Sequence, residues 1–275
     1  MITSRYFLDG LDGAGKGSCA EELANILPGN TIIVDYPQYN LPWGKVLKHL
    51  LTENDEGLSV EDRMLVYALN RLETVDAIKA QVNSLSELKL PVNIVFDRFF
   101  TSNIITAAYY YSKLSPDKRP NDVRTWLLEM YKLMRQIDSE FIEALGLENA
   151  LVFVPMINES ESLSRVLTDT SREGADMYEN LSVQSVARQM YLIVANEFPD
   201  QIHVFSQYQG DVRMTPLEQA RYILSTQPNN TSGSTGGSVR LDSNFEINRD
   251  KVKKLLEQFG SEDLKRLDPY PQAES

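Results

Sequence analysis

The chain has 275 residues, of which 42% are hydrophobic, and a net charge of −12, so it can bury a sizeable core but offers no basic face for a nucleic-acid backbone. No run approaches the roughly 20 apolar residues that span a bilayer, and Met1 to Leu8 leads straight into a strand pattern, so neither a membrane anchor nor a signal peptide is expected. One cysteine, Cys19, excludes an internal disulfide, fits a reducing cytoplasmic setting, and reads as a small buried residue on a helix.

The first strand pattern is Arg5–Asp9 (RYFLD). It runs into Gly10-Leu-Asp-Gly-Ala-Gly-Lys-Gly-Ser18, which opens a helical pattern over 16–27. A glycine-rich turn between a strand and a helix is the context of a phosphate loop. Gly10, Gly13, Ala14, Gly15, Gly17 and Ser18 offer backbone N–H groups to an anion, and the helix N-terminus adds partial positive charge. Lys16 can reach the terminal phosphates of ATP. The place directly after the lysine, where a hydroxyl ordinarily ligates magnesium, holds Gly17, and the hydroxyl follows as Ser18.

Further strand patterns are Thr31–Asp35, Val92–Asp97, Ala150–Pro155 and Gln201–Phe205. Helical patterns lie between them near 42–52, 60–85, 102–113, 121–145, 178–197 and 215–225. Such alternation predicts an α/β fold, a parallel sheet of about five strands flanked by helices, with ligands at the carboxyl ends of the strands. The segment 227–238 (QPNNTSGSTGGS) has the composition of a flexible linker. That places a catalytic domain at 1–226 and a C-terminal appendage at 239–275, with one amphipathic helix near 248–259 and no part in the chemistry.

Ordered landmarks carry a resemblance. After the loop come Tyr36-Pro37-Gln38-Tyr39 and Pro42-Trp43-Gly44, then Leu65-Val66-Tyr67-Ala68-Leu69-Asn70-Arg71. Asp97-Arg98-Phe99 with Ser102-Asn103 follows, and then Ser171-Arg172-Glu173 and Asp176 to Glu179. Over roughly residues 5–210 this order resembles the thymidylate kinases, a family of P-loop nucleoside-monophosphate kinases. The resemblance implies a three-layer P-loop NTPase fold with a short lid. It also implies ATP and Mg2+ as donor and cofactor, dTMP as acceptor, and a cytoplasmic homodimer that binds neither nucleic acid nor membrane.

The same residues have physical readings. Asp97, at a strand's carboxyl end, can hold magnesium through water, and Arg98 beside it can clamp a phosphate bidentately. Asp12 lies inside the loop, and the resemblance turns it toward the acceptor sugar. Tyr67 and Arg71, four residues apart, share a helix face, so a ring can stack on a base while the guanidinium meets a carbonyl. For Tyr67 an ordinary core position is the competing reading. Asn103 can read a base edge as donor and acceptor. Tyr39 stands where many family members have a phosphate-binding arginine. In the lid, Arg172 and less directly Arg165 can supply charge to the transferring phosphoryl group. His49 and His203 read as structural. Two other readings stay open: a related kinase acting on another nucleotide or a deoxynucleoside, and a nucleotide-binding homologue with impaired catalysis.

Overall fold

Period-two alternation in the first strand sets the layering. In β1 (Ile2–Leu8), Tyr6 and Leu8 enter one apolar cluster and Phe7 enters another, and all three are buried. A strand covered on both faces belongs inside a helix-wrapped parallel sheet. The computed structural model describes residues 2–52, 57–168, 178, 180–227, 235–241 and 245–270.

After β1 come α1 (Lys16–Ile26), β2 (Gly29–Asp35), α2 (Pro42–Thr52), α3 (Val60–Leu72), α4 (Val75–Ser86) and β3 (Val92–Asp97). Then follow α5 (Asn103–Lys113), α6 (Val123–Ile137), α7 (Ser139–Leu145), β4 (Val152–Met156), α8 (Glu159–Thr168) and α9 (Leu181–Glu197). The chain continues through β5 (Ile202–Ser206), the short hairpin β6 (Tyr208–Gln209) and β7 (Val212–Arg213), and α10 (Pro216–Thr226). It ends in β8 (Thr235–Arg240), α11 (Arg249–Phe259) and α12 (Glu262–Lys265).

Six parallel strands form the sheet in the order β5-β4-β1-β3-β2-β8. Leu8 lies opposite Asp97, and Asp97 opposite Asp35, so the carboxyl ends of three neighbouring strands stand level. One face is covered by α1 and α10, with Cys19, Leu23 and Ile223 against Leu8, Val95 and Phe153. The other face carries the larger core, where Phe7 stacks on Phe96 at 4.9 Å and Phe99 and Phe141 complete an aromatic cluster. Among the described residues, no helix is long and apolar enough to cross a membrane.

Two helical patterns read as continuous are broken, each at a buried acidic residue. The pattern over 60–85 stops at Glu73, the cap of α3, and restarts after Thr74, whose hydroxyl donates to the Arg71 carbonyl (2.7 Å). The pattern over 121–145 breaks at Asp138, which ends α6 and begins α7.

The stretch expected to be a linker behaves differently where it is described. Residues 228–234 lie outside the described residues, but 235–238 are strand, not linker, and extend the sheet beside β2. One glycine of that stretch, Gly236, serves a close approach. A Cβ on Gly236 would stand 2.6 Å from the Gly29 carbonyl oxygen, so only glycine fits that pairing. Beyond it, Leu241, Val252, Leu255, Leu256 and Leu264 are buried in the same cluster as the main core.

Candidate functional site

The phosphate loop leaves β1 at Asp9, and Asp9 is the hub of the site. Its fully buried carboxylate accepts from Gly10 N (2.9 Å), Phe99 N (3.3 Å), the hydroxyls of Thr101 and Ser102, and the Tyr191 hydroxyl (3.2 Å). It thereby ties the loop to the turn after β3 and to α9. Sequence reasoning noted Asp9 only as the end of a strand, because nothing local marks a residue whose partners lie 90 and 182 positions away.

Within the loop, Gly13 and Gly15 have φ of +71° and +79°, the left-handed region that glycine enters without strain. Lys16 is buried, and its Nζ donates to the carbonyls of Leu11 (2.7 Å) and Gly10 (3.3 Å). Burial, and then the Arg98 charge, lower its pKa to about 8 against the pull of Asp12, Asp97 and Asp9. Gly17 leaves room for a carboxylate: a Cβ there would meet Asp97 Oδ2 at 3.3 Å.

Arg98 follows β3 in a left-handed conformation (φ 76°), with its N–H donating to the Leu8 carbonyl (2.8 Å). Its guanidinium pairs with Asp12. Burial works against that charge, but Asp12, Asp97 and Asp9 together raise its pKa. Asp12 therefore does not point bare into the anion cradle. Asp97 is pushed up by burial, opposed by Lys16 and Arg98, and its buried Oδ1 has no hydrogen-bond partner. A lone orphaned carboxylate oxygen beside a phosphate loop fits a hydrated cation that takes its other ligands from phosphate and water. Among the described residues there is no cluster of three His, Cys, Asp or Glu side chains that could hold a metal alone.

Two cavities adjoin here. The larger, about 590 Å³, is lined by the loop together with Lys16, Asp97, Arg98, Arg165 and Thr168. The smaller, about 190 Å³, includes Tyr39, Tyr67, Arg71, Ser102, Thr106 and Tyr178 in its wall. Asp12 and Arg98 line both, so the pair forms their shared wall.

In the smaller cavity Arg71 is not an open fork. Its Nε and Nη2 donate to the two oxygens of Asp138 at 2.6 and 2.7 Å, both side chains being buried. One edge of the guanidinium is thus fixed from behind by the break between α6 and α7. Burial would lower the arginine's pKa, but Asp138 raises it overall. Tyr39 is 41% exposed at the mouth and Tyr67 is half-buried in the wall. Asn103 is buried, but it does not line this cavity, and neither end of its amide has a partner. Ser102 and Thr106 supply the hydroxyls there instead.

The segment expected to form a lid is described in part. Arg172 lies outside the described residues. Arg165, on α8, donates to the Gly13 carbonyl at 2.9 Å and lines the larger cavity. Arg213, on β7, was not foreseen. It donates to Gln207 Oε1 (2.8 Å) and Ala14 O (3.5 Å) and pairs with Glu161 (3.3 Å), and a Cβ on Gly15 would lie 3.6 Å from its Nη2. An isolated arginine in a hairpin carries no sequence signal. His203 is structural, in contact with the Tyr222 hydroxyl at 3.0 Å.

The family model "Thymidylate kinase" matches residues 8–117. Thymidylate kinases of Xanthomonas campestris pv. campestris, strains B100 and 8004, are each 29% identical over 99 residues, 35% of this chain and 40% of theirs. The chain thus matches less than half the length of these curated relatives. A solved thymidylate kinase from Candida albicans superposes with a TM-score of 0.53 at 19% identity, covering 86% of this chain and 97% of that one. The chain is therefore similar to the thymidylate kinases in sequence over residues 8–117, and it shares their P-loop fold over most of its length.

Proposed function

We propose that this protein is a nucleoside-monophosphate kinase that transfers the γ-phosphoryl group of ATP to dTMP, giving ADP and dTDP. The observation that carries the reading is the pair of adjoining cavities with Arg98 and Asp12 as their common wall. Phosphoryl transfer asks a protein for in-line positioning and for positive charge around the moving group. The larger cavity provides loop amides and Lys16 for the donor phosphates, and Arg98 stands where donor and acceptor would meet.

In this reading Arg98 clamps the acceptor phosphate, and Asp12 turns to the acceptor sugar as the phosphate replaces it on Arg98. Arg165, joined by Arg172, balances charge on the transferring group. Magnesium, when bound, neutralises phosphate charge, and Asp97 is the side chain that would hold it through water. Gly17 offers no hydroxyl to the metal, so that carboxylate matters more. Tyr67 stacks on the base, Tyr39 closes the mouth, and the edge of Arg71 left by Asp138 favours a carbonyl over an amino group. Asn103, with its amide unpartnered, acts on the base only if acceptor binding opens a path to it. A deoxynucleoside acceptor would leave Arg98 without a phosphate, and an impaired homologue would have no need of Lys16, Asp97 and Arg98 together. Cytoplasmic homodimerisation follows the same family reading, and light scattering tests the dimer.

The test is ATP consumption against a panel of nucleosides and nucleoside monophosphates. dTMP should be best, dUMP weaker and dCMP very poor, since one methyl in an apolar pocket is worth about 1–3 kcal/mol and a mismatched buried donor more. Preference for dCMP or a purine monophosphate ends the thymidylate reading and leaves the kinase class. Absence of turnover with every acceptor ends both.

A further inference from the structure

The helix that carries Tyr67 and Arg71 is held at both ends by the C-terminal segment. Near its start, Asp62 accepts from Ser261 N at 3.0 Å. At its end, Glu73 accepts from the Tyr270 hydroxyl, and the Tyr270 ring is covered by the Arg249 guanidinium at 5.3 Å. Between them, α11 lays Val252, Leu255 and Leu256 into the cluster that holds Leu65 and Leu69 of α3.

Glu73 does more than end a helix. The oxygen that meets Tyr270 also accepts from Trp43 N at 3.1 Å, at the start of α2. Its other oxygen accepts from Asn70 Nδ2 at 3.2 Å. Asn70 in turn grips the backbone of Gln38 on both sides, accepting from its N–H (2.8 Å) and donating to its carbonyl (3.2 Å). Gln38 lies between Pro37 and Tyr39, both of which line the smaller cavity. The same carbonyl leaves no room beside α2: a Cβ on Gly44 would sit 1.9 Å from it. Tyr270 is thus two side chains away from the segment that forms one wall of the proposed acceptor site.

We propose that the C-terminal segment is a positioning element for the acceptor cavity, acting through Tyr270 and Glu73 on α3 and on residues 36–43. The proposal rests on the kinase reading for its substrate, but not for the mechanical coupling itself. The path through Tyr270 does not run to the donor side among the described residues: the phosphate loop is tied down through Asp9, Tyr191 and Gln207, and the C-terminal segment meets α1 separately, through Arg240 on Glu21 at 2.8 Å. Loss of the tyrosine hydroxyl should therefore disturb one substrate and spare the other.

The experiment compares the full chain with Tyr270→Phe, Glu73→Ala and Glu73→Gln. In ATP-consumption kinetics with dTMP, Tyr270→Phe should raise the acceptor KM roughly five- to tenfold, the effect of one partly buried hydrogen bond to a carboxylate, with kcat and the ATP KM unchanged. Glu73→Ala should be worse, and Glu73→Gln, which keeps an acceptor for Trp43 and Tyr270, should recover part of the loss. Amide hydrogen exchange on the same proteins reads the coupling without turnover. Residues 36–44 should exchange faster in Tyr270→Phe, with residues 10–18 unchanged. An unchanged acceptor KM with unchanged exchange overturns the proposal. So does a parallel rise in both KM values with faster exchange throughout, which is the mark of general loosening. Should the full chain phosphorylate no nucleoside monophosphate, the kinase reading fails and exchange at 36–44 alone decides the coupling.

Discussion

Lys16 is a residue whose charge state is open to what fills the loop, because its pKa lies near neutrality. With a pKa lowered to about 8 by burial and by Arg98, it is mostly charged at neutral pH and mostly neutral at pH 9. Phosphates favour the charged form, so above pH 8 ATP must bring a proton with it, and affinity should fall by up to about tenfold per pH unit. Calorimetry in two buffers of different ionisation heat should find proton uptake on ATP binding at pH 9 and little at pH 7, and Lys16→Met should abolish both the uptake and the turnover. At Arg71 the controlling residue is its partner. Asp138→Ala strands a buried guanidinium, and breaking a buried pair in this way costs about 3–5 kcal/mol. Thermal denaturation should show Tm falling on the order of 10 °C, whereas Arg71→Ala should also narrow the proposed preference for dTMP over dCMP. A Tm within a degree or so of the parent would mean that the pair is not held as described.

At the scale of elements, the junction of α3 and α4 holds an ionisable group at its centre. Burial raises the Glu73 pKa from 4.5 to about 7. The folded state therefore binds a proton more tightly than the unfolded chain, and the stability this contributes is full below pH 4.5 and lost as pH rises through about 7. Measured against Glu73→Gln, the parent should lose Tm steadily over that window and then level off; parallel curves would refute a buried, titrating Glu73. This junction also shows what the sequence could reveal. The glycine-rich loop and Asp97-Arg98 were legible as candidates because their pattern is local: a spacing of glycines, and two charged residues where a strand stops. Five strands were legible from their apolar runs and most helices from their periodicity, but α8 was not, because Glu159–Thr168 reads as a polar loop, and neither were the two-residue strands β6 and β7. The bonds of Asp138 to Arg71, of Asp9 to Phe99 and Tyr191, and of Glu73 to Trp43 and Tyr270 were not legible, because folding alone brings those partners near. Arg71 stands 67 positions from Asp138. β8 was missed for another reason: glycine and serine serve a tight strand pairing as well as they serve a linker, and composition does not separate the two.

For the molecule as a whole, the unit that must stay together runs past the kinase-like segment. A chain ending at Thr226 would uncover the edge of β2 and the faces that α11 and α12 bury. An unpaired edge strand is a template for self-association. Such a truncation should therefore lose Tm and run as higher species in size-exclusion chromatography; a monodisperse, fully active product would show that the tail is dispensable after all. The single cysteine offers a way to watch this unit open. Cys19 is buried in α1 directly behind the phosphate loop, and burial, with Asp97 and Glu22 nearby, pushes its thiol up to about 12. A disulfide reagent attacks only thiolate that it can reach, so the native protein should be silent to it over hours. Its colour change becomes a clock for the detachment of α1 from the sheet. Nucleotide that grips the loop should slow that clock, whereas acceptor alone should leave it running.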